Sequence, residues 1–148
     1  MDTGVLNDFK ELFRLLNAHG VKYLVVGGYA VNYYGHHRFT QDLDVWLEST
    51  LPNGERFVEV MNAFIGPDPD LKPESITIFD KIIRMGRSPY LLEFFTHIPG
   101  VDFQECYEKR TIADWGDVEV SLISRDKLKD SKRATGRFKD LDDIDHLE

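Results

Sequence analysis

The chain has 148 residues, 42% of them hydrophobic and 30% charged, with a formal net charge of -8. That length suits a single domain spanning residues 1–148, and the composition is that of an ordinary globular protein. The acidic balance argues against a general nucleic-acid binder, whose footprint is basic. No stretch approaches the roughly 18 consecutive apolar residues of a membrane span. Met1-Asp2-Thr3-Gly4 has no basic segment leading into an apolar core, so secretion is not expected. The single cysteine, Cys106, excludes an intrachain disulfide, fits a reducing cytoplasm and reads as a packed thiol. Leu147-Glu148 is open to a second reading as the remnant of a cloning junction.

Asn7 or Asp8 can cap a first helix, whose apolar positions Phe9, Leu12, Phe13 and Leu16 follow helical spacing until Gly20 stops it. Residues 21–26 form a buried-type strand, and residues 28–34 a short helix closed by Gly35. A loop through His36, His37, Arg38, Phe39 and Thr40 leads into a strand at about 42–47. Pro52 opens the next helix, with Phe57, Val60, Met61 and Phe64 on its apolar face. After the turn-rich 66–70 segment, three short strands are expected at 76–79, 82–85 and 90–95. A short helix at 101–109 follows. A strand at 118–123 can then pair with 111–114 across the Gly116-Asp117 turn. Two helices, from about Arg125 and about Lys139, close the chain. Strands mixed with helices in this way indicate an α/β (α+β) domain, a mixed β-sheet packed with helices.

The segment carrying chemistry is Val26-Gly27-Gly28, thirteen residues, then Asp42-Leu43-Asp44-Val45. Alternate side chains of a strand share a face, so Asp42 and Asp44 point the same way. Two carboxylates one strand repeat apart can share hard divalent cations, which take oxygen ligands. The glycine pair ends an apolar run and opens a helix, where bare N–H groups and the helix dipole favour phosphate. Glu93 stands inside a second apolar strand, between Leu92 and Phe94, where an ionisable group is costly unless it meets a ligand or a charge partner.

Several neighbours carry two readings each. Arg38 and Thr40, just before the aspartates, suit an anionic substrate, or else a surface ion pair and a sheet contact. His36 and His37 read as polar loop residues. From Arg125 to Lys139 there are seven basic residues against two acidic ones. Within that stretch Lys132 and Arg133 belong either to a solvated helix face or to a phosphate contact.

These residues resemble the signature of the nucleotidyltransferases of the DNA polymerase β superfamily. That signature is an apolar residue, Gly, Gly or Ser, a spacer, then Asp-x-Asp or Asp-x-Glu between apolar residues, and a third acid on a later strand. Within the superfamily the chain looks most like the small single-domain members related to abortive-infection toxins. The residues carrying this are Arg38-Phe39-Thr40-Gln41-Asp42-Leu43-Asp44 and the stretch from Lys132 to Ile144. Many relatives carry aspartate where this chain has Glu93, and the extra methylene moves the acid's oxygens or demands a strand shift.

The resemblance implies a palm-like fold and transfer of a nucleoside monophosphate from an NTP such as ATP to an acceptor hydroxyl. The acceptor class, whether protein, RNA or small molecule, stays open. It implies two Mg²⁺ ions, or Mn²⁺ in their place, held by Asp42, Asp44 and Glu93, the last also able to take the acceptor's proton. Gly27, Gly28, Arg38, Thr40, Lys132 and Arg133 would meet the nucleotide. A cytoplasmic toxin–antitoxin or defence role is implied, with an antitoxin or other partner protein and no membrane. The alternative is an inactive binding or regulatory protein of the same fold.

Overall fold

The apolar run Tyr23–Val26 forms strand β1, buried at all four positions, at the centre of the structure. It is a computed structural model that describes residues 3–35, 42–87, 90–136 and 144. Around β1, strands β2 (Leu43–Leu47), β3 (Ile82–Arg87), β4 (Tyr90–Phe95), β5 (Thr111–Asp114) and β6 (Glu119–Leu122) complete a six-stranded mixed sheet. Their order is β3-β4-β2-β1-β6-β5. β1 runs antiparallel to β2 and parallel to β6, while β2 runs parallel to β4. The outer strands β3 and β5 each pair antiparallel with the next strand inward.

Helix α1 (Thr3–Ala18) lays Leu12, Phe13 and Leu16, all fully buried, against the sheet. Phe13 meets the ring of Tyr23 at 5.5 Å. Helix α3 (Leu51–Phe64) lies on the same face and sets Phe57 edge-on to Phe94 of β4 at 4.8 Å. Helix α2 (Gly27–Tyr33) follows β1 directly. On the other face Trp46 meets Phe103 of α4 (Phe103–Glu108) edge-on at 5.0 Å. Helix α5 (Arg125–Thr135) begins at Ser124, whose side chain caps Lys127 N, and ends at Gly136 in the left-handed region.

One buried polar residue ties β1, β2 and α3 together. The Asn53 side chain accepts from Lys22 N at 2.8 Å and donates to the carbonyls of Lys22 at 3.0 Å and Glu48 at 2.9 Å. These are the backbone groups flanking the β1–β2 ladder, and Asn53 is fully buried. The bonds satisfy the Lys22 N–H and give a second donor to the Lys22 and Glu48 carbonyls, which also accept from Glu48 N and Thr50 N.

Two expectations are corrected. The first helix starts at Thr3, so Asn7 and Asp8 lie inside it and do not cap it. Both residue types are poor but tolerated in a helix, and no proline blocks the extra turn. The strand expected at 76–79 is absent; residues Pro73–Thr77 form a short 3₁₀ helix. Pro73 starts that turn, the Ser75 hydroxyl accepts from Lys72 N at 3.0 Å, and the Ile76 carbonyl takes the Ser49 hydroxyl at 2.5 Å. Ile76 is fully buried while Ile78 is exposed, so the alternation that reads as a strand comes from a turn with one apolar anchor. The second closing helix, apart from helical Ile144, lies outside the described residues.

Candidate functional site

The strand register brings together residues that the sequence keeps far apart. Val26, the last residue of β1, is opposite Asp44 on β2, and Asp44 is opposite Glu93 on β4. Register partners share a face, so the Asp44 and Glu93 side chains emerge side by side. Both are partly buried, and Asp42, also partly buried, stands one residue before β2 at the same end of the sheet.

Gly27 completes this corner. It lies at φ 67° immediately after β1, in the left-handed region that favours glycine. A Cβ placed on it would fall on Asp44 Oδ2 and lie 2.9 Å from Asp44 Cγ. The absent side chain is the space the carboxylate uses. Gly28, buried, is the second residue of the seven-residue α2.

Glu93 has a partner that sequence reasoning missed. Arg84, its register neighbour on β3, donates from Nε to Glu93 Oε2 at 2.8 Å. The pair is lopsided: the Arg84 side chain is 63% exposed and that of Glu93 only 15%. Glu93 sits between Leu92 and Phe94, both buried, so the guanidinium supplies the charge compensation that the apolar flanks cannot. The only sequence signal for Arg84 is a basic residue between Ile83 and Met85, and nothing local links it to Glu93.

Other expected site residues are placed less decisively. Lys132 is buried on α5, whereas Arg133 is exposed and pairs with Asp130 of its own helix at 3.3 Å. Arg38 and Thr40 lie outside the described residues, as do His36 and His37. The aromatics nearest the glycine turn are structural. Tyr29 is buried between Phe9 and Trp115, and the Tyr34 hydroxyl donates to the Ile123 carbonyl at 2.6 Å. Cys106 is buried, and burial pushes its thiol up to about 11, as suits an inert packed residue.

The donor set suits a hard divalent cation in kind: oxygens only, on adjacent strands, with a glycine that leaves Asp44 its room. It is not gathered as it stands. Among the described residues no group of three or more His, Cys, Asp or Glu side chains could hold a metal ion. Glu93 meets this corner with one oxygen, Oε2, already engaged by Arg84.

Among solved structures, the chain is similar to an antigenic nucleotidyltransferase-like protein from Paracoccidioides brasiliensis. The TM-score is 0.55 at 16% identity, over 99% of this chain and 77% of that one. At that identity the likeness is one of fold: the six-stranded mixed sheet and its helices form a nucleotidyltransferase-like fold. No protein-family model and no curated protein matches the chain. Among the described residues no helix is long and apolar enough to cross a membrane.

Proposed function

We propose that the chain is a metal-dependent nucleotidyltransferase that moves a nucleoside monophosphate from an NTP to an acceptor hydroxyl and releases pyrophosphate. The observation that supports this best is the register pairing of Asp44 with Glu93 beside the Gly27 turn, in a chain with this fold.

Asp42, Asp44 and Glu93 would hold two Mg²⁺ ions. Bound there, the metal supplies Lewis acidity toward phosphate oxygens and makes the acceptor hydroxyl easier to ionise. The chain's own residues do the rest. Gly27 allows the Asp44 carboxylate to lie against the turn, and with Gly28 it offers backbone N–H groups to the β- and γ-phosphates. Glu93 takes the proton of the acceptor hydroxyl as that oxygen attacks the α-phosphorus. The bond from the α-phosphorus to the bridging oxygen breaks, and pyrophosphate leaves with those electrons. Arg38, Thr40, Lys132 and Arg133 are the proposed further contacts to the triphosphate. A toxin–antitoxin or defence role rests on the resemblance of the 38–44 and 132–144 stretches alone.

The test is to incubate wild type and Asp44→Asn with each of four α-labelled NTPs, Mg²⁺ and a cell lysate. Label transferred to a lysate component with release of pyrophosphate, and lost in the variant, supports the reading. Transfer that is equal in both proteins, or absent from both, would sink it.

The second reading, an inactive binding or regulatory protein of the same fold, is favoured by one observation. Glu93 is already neutralised by Arg84, and the three acids are not clustered. Metal-dependent NTP binding without transfer to any acceptor is what that reading expects.

A further inference from the structure

We propose that Arg84 is a positioning residue that competes with divalent cations for Glu93, holding the carboxylate in place until a metal displaces it. This rests on the metal-site reading above but concerns a residue outside the acidic set.

The argument is one of occupancy and charge. Arg84 Nε donates to Glu93 Oε2 at 2.8 Å, so one of the two oxygens that would face a metal is already engaged. Glu93 is the buried member of the pair and Arg84 the exposed one, at 15% and 63%. A carboxylate so enclosed is best placed against a positive partner, and the guanidinium is a partner it has. A divalent cation arriving between Asp44 and Glu93 supplies that charge itself. Two cations on one carboxylate repel, and the exposed guanidinium is the one with somewhere to go. It stands on an outer strand and can turn into solvent with little packing lost. The fold therefore provides two states for Glu93, one held by Arg84 and one held by metal. The extra methylene that separates glutamate from aspartate gives the carboxylate reach toward either partner.

The pair also explains how a mid-strand glutamate flanked by buried Leu92 and Phe94 is tolerated. Removing Arg84 should then act on metal binding through Glu93 and through no other group. A general loss of positive charge near the site would act whether or not Glu93 is ionisable.

The experiment measures Mn²⁺ affinity by electron paramagnetic resonance of the free ion. It uses the full chain without nucleotide near neutral pH. Four proteins form a double-mutant cycle: wild type, Arg84→Ala, Glu93→Gln and the double variant. Arg84→Gln, which preserves more of the side chain on the outer strand, serves as a second probe should the alanine variant fold poorly. An ion pair of this exposure predicts that Arg84→Ala binds Mn²⁺ about two- to fivefold more tightly than wild type. In the Glu93→Gln background the same substitution should change nothing. Equal tightening in both backgrounds assigns the effect to general charge and overturns the proposal. Unchanged or weaker binding in Arg84→Ala overturns it too, while leaving the nucleotidyltransferase reading intact. Mn²⁺ binding by none of the proteins overturns both.

Discussion

The Asp44 carboxylate lies where a side chain on Gly27 would begin, since a Cβ there would be 2.9 Å from Asp44 Cγ and closer still to Oδ2. The glycine and the aspartate are thus one feature, in which the turn after β1 is shaped by an acid on the strand beside it. Gly27→Ala should cost about 1–3 kcal/mol, from a side chain forced to a positive φ and from the displaced carboxylate. Urea denaturation measures this, and the same variant should lose Mg²⁺-dependent NTP binding. A denaturation midpoint equal to that of wild type would contradict the packing argument.

Asp44→Asn keeps the shape of the side chain and removes its charge. Metal-dependent binding of nucleotide should weaken by about tenfold or more, which is about 1.4 kcal/mol. Isothermal titration of Mg²⁺ with ATP into each protein reads this directly. Undiminished binding would place the metal elsewhere.

Asn53 supports the site from a distance, because its three hydrogen bonds hold the open ends of β1 and β2 to α3. Asn53→Ala takes the partner of the Lys22 N–H and one of two donors from each of the Lys22 and Glu48 carbonyls, in a partly buried place. A loss of about 1–3 kcal/mol in urea denaturation is expected. Nucleotide affinity, measured below the unfolding range, should fall far less than in Asp44→Asn.

Stability should decline in alkali. Burial pushes the Cys106 thiol from 9.0 up to about 11 and the Tyr23 hydroxyl from 10.0 up to about 12. Both groups are neutral when protonated, so the folded chain keeps protons that the unfolded chain has already lost. Their contribution is complete below about pH 9 and drains away as pH rises toward 12. Urea midpoints measured upward from about pH 8 should fall, and Cys106→Ala should remove the earlier part of that fall. Native protein near pH 8 should also resist iodoacetamide, reacting only after unfolding.

The candidate residues were legible because their signals are local. A glycine pair after an apolar run marks a strand that turns into a helix, and Asp42 and Asp44 share a face by the period of a strand. A glutamate between Leu92 and Phe94 announces a charge that needs a partner. The misread segment shows where locality fails. Ile76 and Ile78 alternate with polar residues as a strand would, but Pro73 opens a 3₁₀ turn packed under Gly54 of α3. A Cβ on Gly54 would meet the Pro73 carbonyl, so this arrangement depends on a contact between segments that no window of sequence contains.

The sequence by itself determined the element types at the core and the glycine turn after β1, and it put forward the three acids as candidates. Those follow from side-chain periodicity and backbone preference, which act over a few residues. Only the tertiary structure decided that Asp44 lies opposite Glu93, and that Arg84 reaches Glu93 from the other side. Register is a choice among pairings of strands distant in the chain, settled by how helices and sheet pack together. That choice gave Glu93 both a carboxylate neighbour and a guanidinium.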